Sequence, residues 1–175
     1  MAAAGAGTKG QLSLEDKKDR THQSIQVVEF VLGKELFAID LFDVKEVVEY
    51  TTITKLPNTP PYIKGIIDLR GEITTIVDLK ERLNIHEESG VTEENKRIIV
   101  LDEKITDSKI GIIVDDVSSV STFEMTQVDS TSTTGNTEDH TILGIIKKKL
   151  RIRDKEVNGL IIWIDIKPLL KDLHI

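Results

Sequence analysis

The chain has 175 residues, 39% hydrophobic and 30% charged, with 23 basic against 30 acidic side chains and no cysteine. This length and apolar fraction suffice for one ordinary domain or two small intimate ones with a real core. The net charge of −7 disfavours phosphate backbones and anionic membranes as main partners, and the lack of cysteine removes disulfide frameworks, thiol catalysis and zinc–thiolate sites. No stretch is apolar enough for a membrane span, and Met1 to Gly10 lacks the pattern of a signal peptide, so a cytoplasmic protein is expected.

Residues 1–24 are Ala/Gly-rich and then crowded with charge, and are expected to form a disordered tail. From Ile25 the pattern turns strand-like: Ile25 to Leu32, a Gly33-Lys34 turn, then Glu35 to Ile39. A single helical turn is expected over Asp40 to Val44, before an extended Glu46 to Ile53. Asn58, Pro60 and Pro61 then forbid helix, and a strand should begin near Tyr62. Ile63 to Leu69 and Glu72 to Val77 are rich in β-branched residues and joined by Arg70-Gly71, where glycine supplies the positive φ of a tight hairpin. Asp78 precedes LKERL as a helix cap, because its carboxylate can accept the free backbone N–H groups of a helix start. Glu87 to Asn95 is a polar connector; strands follow at Arg97 to Leu101 and Lys109 to Val114. Ser118 to Thr141 reads as a long surface loop with one short strand near Val120 to Phe123.

The hairpin, cap and helix occur twice. Ile63-Lys64-Gly65-Ile66-Ile67 is echoed by Ile142-Leu143-Gly144-Ile145-Ile146, and Ile76-Val77-Asp78-Leu79 by Trp163-Ile164-Asp165-Ile166. The second copy carries about eight extra residues within Lys147 to Glu156, and Asn158-Gly159 is the expected turn back. A weaker echo sets Leu36 to Ile39 against Ile110 to Ile113. The expected architecture is therefore mainly β: two small barrels from an ancestral duplication, the first over 25–90 and the second over 91–175 with a C-terminal helix.

Catalytic chemistry is hard to find. GAGTKG at Gly5 to Gly10 matches a dinucleotide fingerprint but lacks the preceding strand and following helix that give it meaning, and Gln11 stands where a phosphate-binding lysine would be needed. His22, His86, His140 and His174 are scattered without metal-ligand spacing, and Glu138-Asp139-His140 sits in a polar stretch where nothing would shift its pKa. Asp78 and Asp165 occupy equivalent places in a repeat, which favours caps over paired catalytic carboxylates. The run Lys147 to Arg153 is the one basic cluster; Lys149, Arg151 and Arg153 share one strand face and Leu150 and Ile152 the other, as in a protected edge strand. A small-barrel nucleic-acid binder is the alternative that this cluster keeps open.

The run PPYIKGIIDLRGEITTIVDLKERL, with FVLGKELFAIDLFDVKEVVE before it and GIIVDDVSSV and GLIIWIDIKPLL after it, resembles the CheW family of bacterial chemotaxis coupling proteins over about Ile25 to Leu173. The resemblance implies two five-stranded SH3-like barrels, no enzymatic activity and no cofactor. It implies an adaptor that links chemoreceptor cytoplasmic tips to the regulatory domain of the histidine kinase CheA, recruited from the cytoplasm to membrane-associated receptor arrays without inserting into the membrane. Carried over by motif, Val44, Glu46 and Arg70 match the receptor-facing groove, with an ion pair expected between Arg70 and Glu46. Ile53, Leu56 and Gly65 resemble the kinase-docking surface, and Gly144 is the equivalent of Gly65 in the second barrel. For Ile53 and Leu56 ordinary core is the competing reading, and Gly65 could admit either a neighbouring strand or a partner. Two features depart from the family: the lengthened 147–156 hairpin, and Trp163 where a smaller aliphatic residue is usual.

Overall fold

The computed structural model describes residues 23–86, 92–130, 141–171 and 173. Strands β1 (Ser24–Leu32) and β2 (Glu35–Asp40) form an antiparallel hairpin, and a 3-10 turn at Leu41–Asp43 carries the chain into β3 (Val44–Glu49). β4 (Ile63–Leu69) and β5 (Glu72–Asp78) pair across Arg70 and Gly71, whose φ values of +53° and +87° give the turn twist that matches two-residue hairpins. Helix α1 (Leu79–Leu83) starts on Asp78, whose Oδ1 accepts the Lys80 N–H at 3.0 Å. After β6 (Arg97–Leu101), β7 (Ile110–Val114), β8 (Asp116–Glu124) and the short β9 (Val128–Asp129), the second hairpin β10 (Ile142–Ile152) and β11 (Lys155–Ile164) leads to helix α2 (Ile166–Leu170). Asp165 caps α2 as Asp78 caps α1, accepting the Lys167 N–H at 3.1 Å.

Pairing divides the chain differently from the halves 25–90 and 91–175. One sheet has the order β8-β1-β2-β11-β10-β9 and the other β3-β6-β7-β5-β4, so each draws strands from both halves. The cause lies in what each strand must bury. All five residues of β7 are buried, which demands neighbours on both edges, and β5 and β6 provide them. The 3-10 turn Leu41–Asp43 carries the chain from β2 in one sheet to β3 in the other. The duplication survives this exchange. In each sheet an antiparallel hairpin lies parallel to a strand from the other half, β5 along β7 and β11 along β2. A bulge follows Ile63 in β4 and Ile142 in β10, at matching places before Gly65 and Gly144.

Among the described residues the apolar side chains gather in three clusters. Ile67, Ile76, Ile98, Val100 and Ile113 lie inside the first barrel (β3–β7); Val27, Ala38, Phe123, Ile146 and Ile161 lie inside the second (β1, β2, β8–β11). A larger shared cluster joins them, with Phe30, Phe37 and Ile39 from one sheet, Ile99, Ile110 and Ile112 from the other, and Leu79, Ile166 and Leu170 from the helices. A buried ion pair adds a polar tie: Lys80 Nζ lies 2.8 Å from Asp115 Oδ1, while Asp115 Oδ2 accepts the Gly33 N–H at 2.7 Å. Arg82 completes the junction by donating from Nε to the Leu169 carbonyl at 2.9 Å.

Other expectations need correction. The Ser-rich stretch, expected as a loop with one short strand near Val120 to Phe123, has that strand, but it is the longer nine-residue β8, because every second side chain turns inward and β1 supplies a full ladder of partners. The second hairpin turns at Arg153 and Asp154, both with positive φ, and Asn158 and Gly159 sit inside β11 opposite Lys149 and Lys148. Pairing continues past Asn158-Gly159 because Leu150 and Val157 lie opposite one another and extend the ladder. Ser24 belongs to β1, while residues 1–22, with the GAGTKG run and His22, lie outside the described residues, as do 131–140 and His174.

Candidate functional site

At one rim of the first barrel, β3, β4, β5 and β6 surround a shallow groove whose floor is Leu69, Val100 and Leu101. Its walls are charged. Arg70, held outward by the hairpin turn, makes two parallel hydrogen bonds to Glu46, Nη1 to Oε1 at 3.1 Å and Nη2 to Oε2 at 2.9 Å. Bidentate geometry fixes both side chains in one plane, and the Arg70 side chain remains 73% exposed. Opposite it, Lys109 pairs with Glu72, and Glu103 lies 3.7 Å from Lys45 and 3.8 Å from Lys109. The Lys109 pairing holds Glu72 below the usual carboxylate range. Alternating charge around an apolar floor favours a protein surface of matching pattern over a small anion or cation. The expected Arg70–Glu46 pair is present; Val44 does not join it, because the β3 bulge turns its half-buried side chain to the shared core.

The segment after β3 crosses the outside of β4. Thr54 bridges to Ile66, with reciprocal N–H···O bonds of 2.9 Å. This crossing explains Gly65: it has φ +141°, and a Cβ there would fall 2.0 Å from the Thr54 carbonyl oxygen and 2.9 Å from Ile53 Cγ2. Of the two readings open for Gly65, the structure shows close approach by the chain itself, so this buried residue holds the Ile53–Leu56 segment in place. Ile53 is half-buried against the first barrel's cluster, and Leu56 is half-buried outside it. Ile53 also lines a cleft of about 450 Å³ with Tyr50, Lys64, Asp78 and Lys96. In its wall Lys64 lies 3.4 Å from Asp78, and the Lys96 ammonium stands 5.9 Å from the Tyr50 ring.

Gly144 is likewise buried, with Val128 Cγ1 and the Asp129 carbonyl where its Cβ would be, at 2.8 and 3.2 Å. Inside the second barrel lies a polar network that sequence reasoning missed. Glu29, fully buried on β1, accepts hydrogen bonds from Ser119 and Ser121 of β8 and from Lys148 Nζ of β10 at 3.0 and 3.1 Å. Burial pushes its carboxyl up, but the two hydroxyls and the ammonium outweigh burial and hold it below the usual range. Alternation in β1 and β10 could have placed Glu29 and Lys148 inward, had the serines been read as strand. At the far end of β11, burial holds Asp40 and Asp43 above the usual range. For Asp40 the Trp163 indole opposes this and Asp165 adds to it; for Asp43 the Asp40 carboxylate adds to it.

Among the described residues no group of three or more His, Asp or Glu side chains could hold a metal ion, and no helix is long and apolar enough to cross a membrane. The profile of the CheW-like domain matches residues 26–174, which covers both barrels. The chain belongs to the CheW family. It is 37% identical to chemotaxis protein CheW of Treponema pallidum (strain Nichols), over 62% of this chain and 64% of that protein. It is 36% identical to chemotaxis protein CheW of Bacillus subtilis (strain 168), over 59% of this chain and 64% of that protein. The matches thus span under two thirds of either relative's length. The crystal structure of scaffolding protein TtCheW from Thermoanaerobacter tengcongensis superposes with a TM-score of 0.68 at 34% identity, covering 85% of this chain and 88% of that one. The nucleic-acid alternative finds no support in these relationships, and the basic run Lys147 to Arg153 carries no aromatic side chain on which bases could stack.

Proposed function

We propose that this CheW-family chain is a non-catalytic cytoplasmic adaptor that couples chemoreceptor tips to the histidine kinase CheA within membrane-associated arrays. The observation that carries the reading is the bidentate Arg70–Glu46 pair, standing on an open groove rim at residues that resemble the family's receptor-facing motif. The receptor tip docks across this groove: the charged walls set register and the Leu69, Val100 and Leu101 floor supplies apolar area. The CheA regulatory domain docks on Ile53 and Leu56, whose presentation depends on Gly65, and Gly144 plays the matching part in the second barrel. Coupling is then geometric. An adaptor that contacts the receptor differently in its two signalling states biases the kinase between its own two states, without chemistry of its own.

Reconstitution of the chain with the cognate CheA regulatory domain and a receptor tip fragment, followed by gel filtration, tests the reading. Stoichiometric binary and ternary complexes are expected. Arg70→Glu should remove the receptor from the ternary peak and leave the CheA complex intact; Ile53→Asp should do the reverse. Failure of the native chain to bind either partner would overturn the proposal.

A further inference from the structure

The second hairpin runs about four residues per strand beyond its counterpart in the first barrel and projects as a two-stranded ribbon. Residues 151–158 are all exposed. Leu150, Ile152 and Val157 share one face, with Ile152 54% and Val157 44% exposed. Lys147, Lys149 and Arg151 share the other, and Arg153 sits in the turn, so the ribbon is strongly basic on a chain of net charge −7. Among the described residues, the outer edge of β10 has no partner strand beyond β9's contact with Ile145 and Ile146. At the opposite pole of the same hairpin, the turn Leu41–Asp43 presents Phe42, 78% exposed, among the carboxylates of Asp40, Asp43, Asp102 and Asp165. Lys167 stands among these carboxylates, and Lys104 lies 3.9 Å from Asp102. The ten residues of β11 separate the two poles by about 30 Å, so they cannot meet within one molecule.

We infer that the ribbon of one copy of this chain docks on the Phe42 pole of a second copy, giving a head-to-tail association. Ile152 and Val157 meet Phe42, and Lys155, opposite Ile152 on the same face, meets the surrounding carboxylates together with Arg153 of the turn. A two-fold contact of ribbon with ribbon through this face is disfavoured because it sets Arg153 and Lys155 against their own kind. A heterologous contact leaves one ribbon and one pole unsatisfied in every dimer, so growth continues to a closed ring or a filament.

The test is sedimentation velocity of the full chain across a concentration series. Association should strengthen with concentration, and weaken at least about fivefold when NaCl rises from about 30 mM to about 300 mM. Two variants separate the two poles: a trimmed chain with residues 149–158 replaced by Arg-Gly, the turn that closes the first barrel's hairpin, and Phe42→Ala. Each alone should sediment as a monomer with an unchanged thermal transition. Mixed, they should form a one-to-one complex, because the trimmed chain keeps the pole and Phe42→Ala keeps the ribbon. A native chain that is monomeric throughout at low salt overturns the inference, as does association that survives trimming or a mixture that forms no complex. A monomeric chain whose ribbon instead binds phosphatidylserine vesicles overturns it in favour of a lipid surface. None of these readouts involves CheA or a receptor, so failure here leaves the adaptor reading standing.

Discussion

Register places Glu29 of the second barrel where Val100 stands in the first, Lys148 where Leu69 stands, Ser121 where Val48 stands and Ser119 where Glu46 stands. One backbone plan thus carries two charge arrangements. In the first barrel the interior positions are apolar and the ion pair, Arg70 with Glu46, is on the rim. In the second the ion pair, Lys148 with Glu29, has moved inside and the rim position is a serine. Exposed pairs contribute little to folding, so the first is free to serve recognition. Buried pairs cannot lose one partner cheaply, so the second fixes the barrel and the base of the ribbon.

The largest expected effect follows from breaking the buried pair. Lys148→Ala leaves the Glu29 charge inside with only serine hydroxyls and should cost about 3 kcal/mol in urea unfolding. Rebuilding the first barrel's pattern with Glu29→Val, Ser121→Val and Lys148→Leu together should return stability to within about 1 kcal/mol of native. A triple variant as unstable as the single one would break the comparison.

The two glycines sharpen it next. Gly65→Ala meets the Thr54 carbonyl in a backbone conformation that favours glycine, and should cost about 2–4 kcal/mol. Gly144→Ala meets mainly a movable Val128 methyl and should cost about 1 kcal/mol. Equal losses would mean that the two crossings are equally tight. Protonation gives a smaller signal. Glu29 is depressed in the folded state, so its stabilisation is present above the ordinary glutamate range and is lost as pH falls through its lowered value. Asp40 and Asp43 are raised, so their cost is present at neutral pH and is relieved as pH falls through their raised values. Stability should therefore hold or rise slightly on mild acidification and decline only at lower pH; Glu29→Gln should flatten that decline.

Much of this plan was legible in the chain. The caps at Asp78 and Asp165, the Arg70-Gly71 turn and the matching glycines are local signals, and local geometry decides them. Strand exchange between the halves was not legible, because the apolar run of β7 shows that it is buried on both faces but not which strands flank it. The polar appearance of β8 hid a strand whose serines serve a buried carboxylate. At the site, the Arg70–Glu46 pair was foreseeable by motif, whereas Val44 turns away because of a bulge that no pattern announces. The turn at Arg153 and Asp154 was hidden because Asn158-Gly159 is the stronger turn signal by composition.

The most direct measurement compares receptor control of CheA activity in assembled complexes carrying Arg70→Glu with that in complexes carrying Lys149→Glu, the same charge reversal at the matching position of the second barrel. Arg70→Glu should change folding stability by less than about 1 kcal/mol and abolish receptor control, and Lys149→Glu should leave control intact. Full receptor control with a folded Arg70→Glu chain, or equal loss in both variants, would contradict the assignment of receptor coupling to the first barrel's rim.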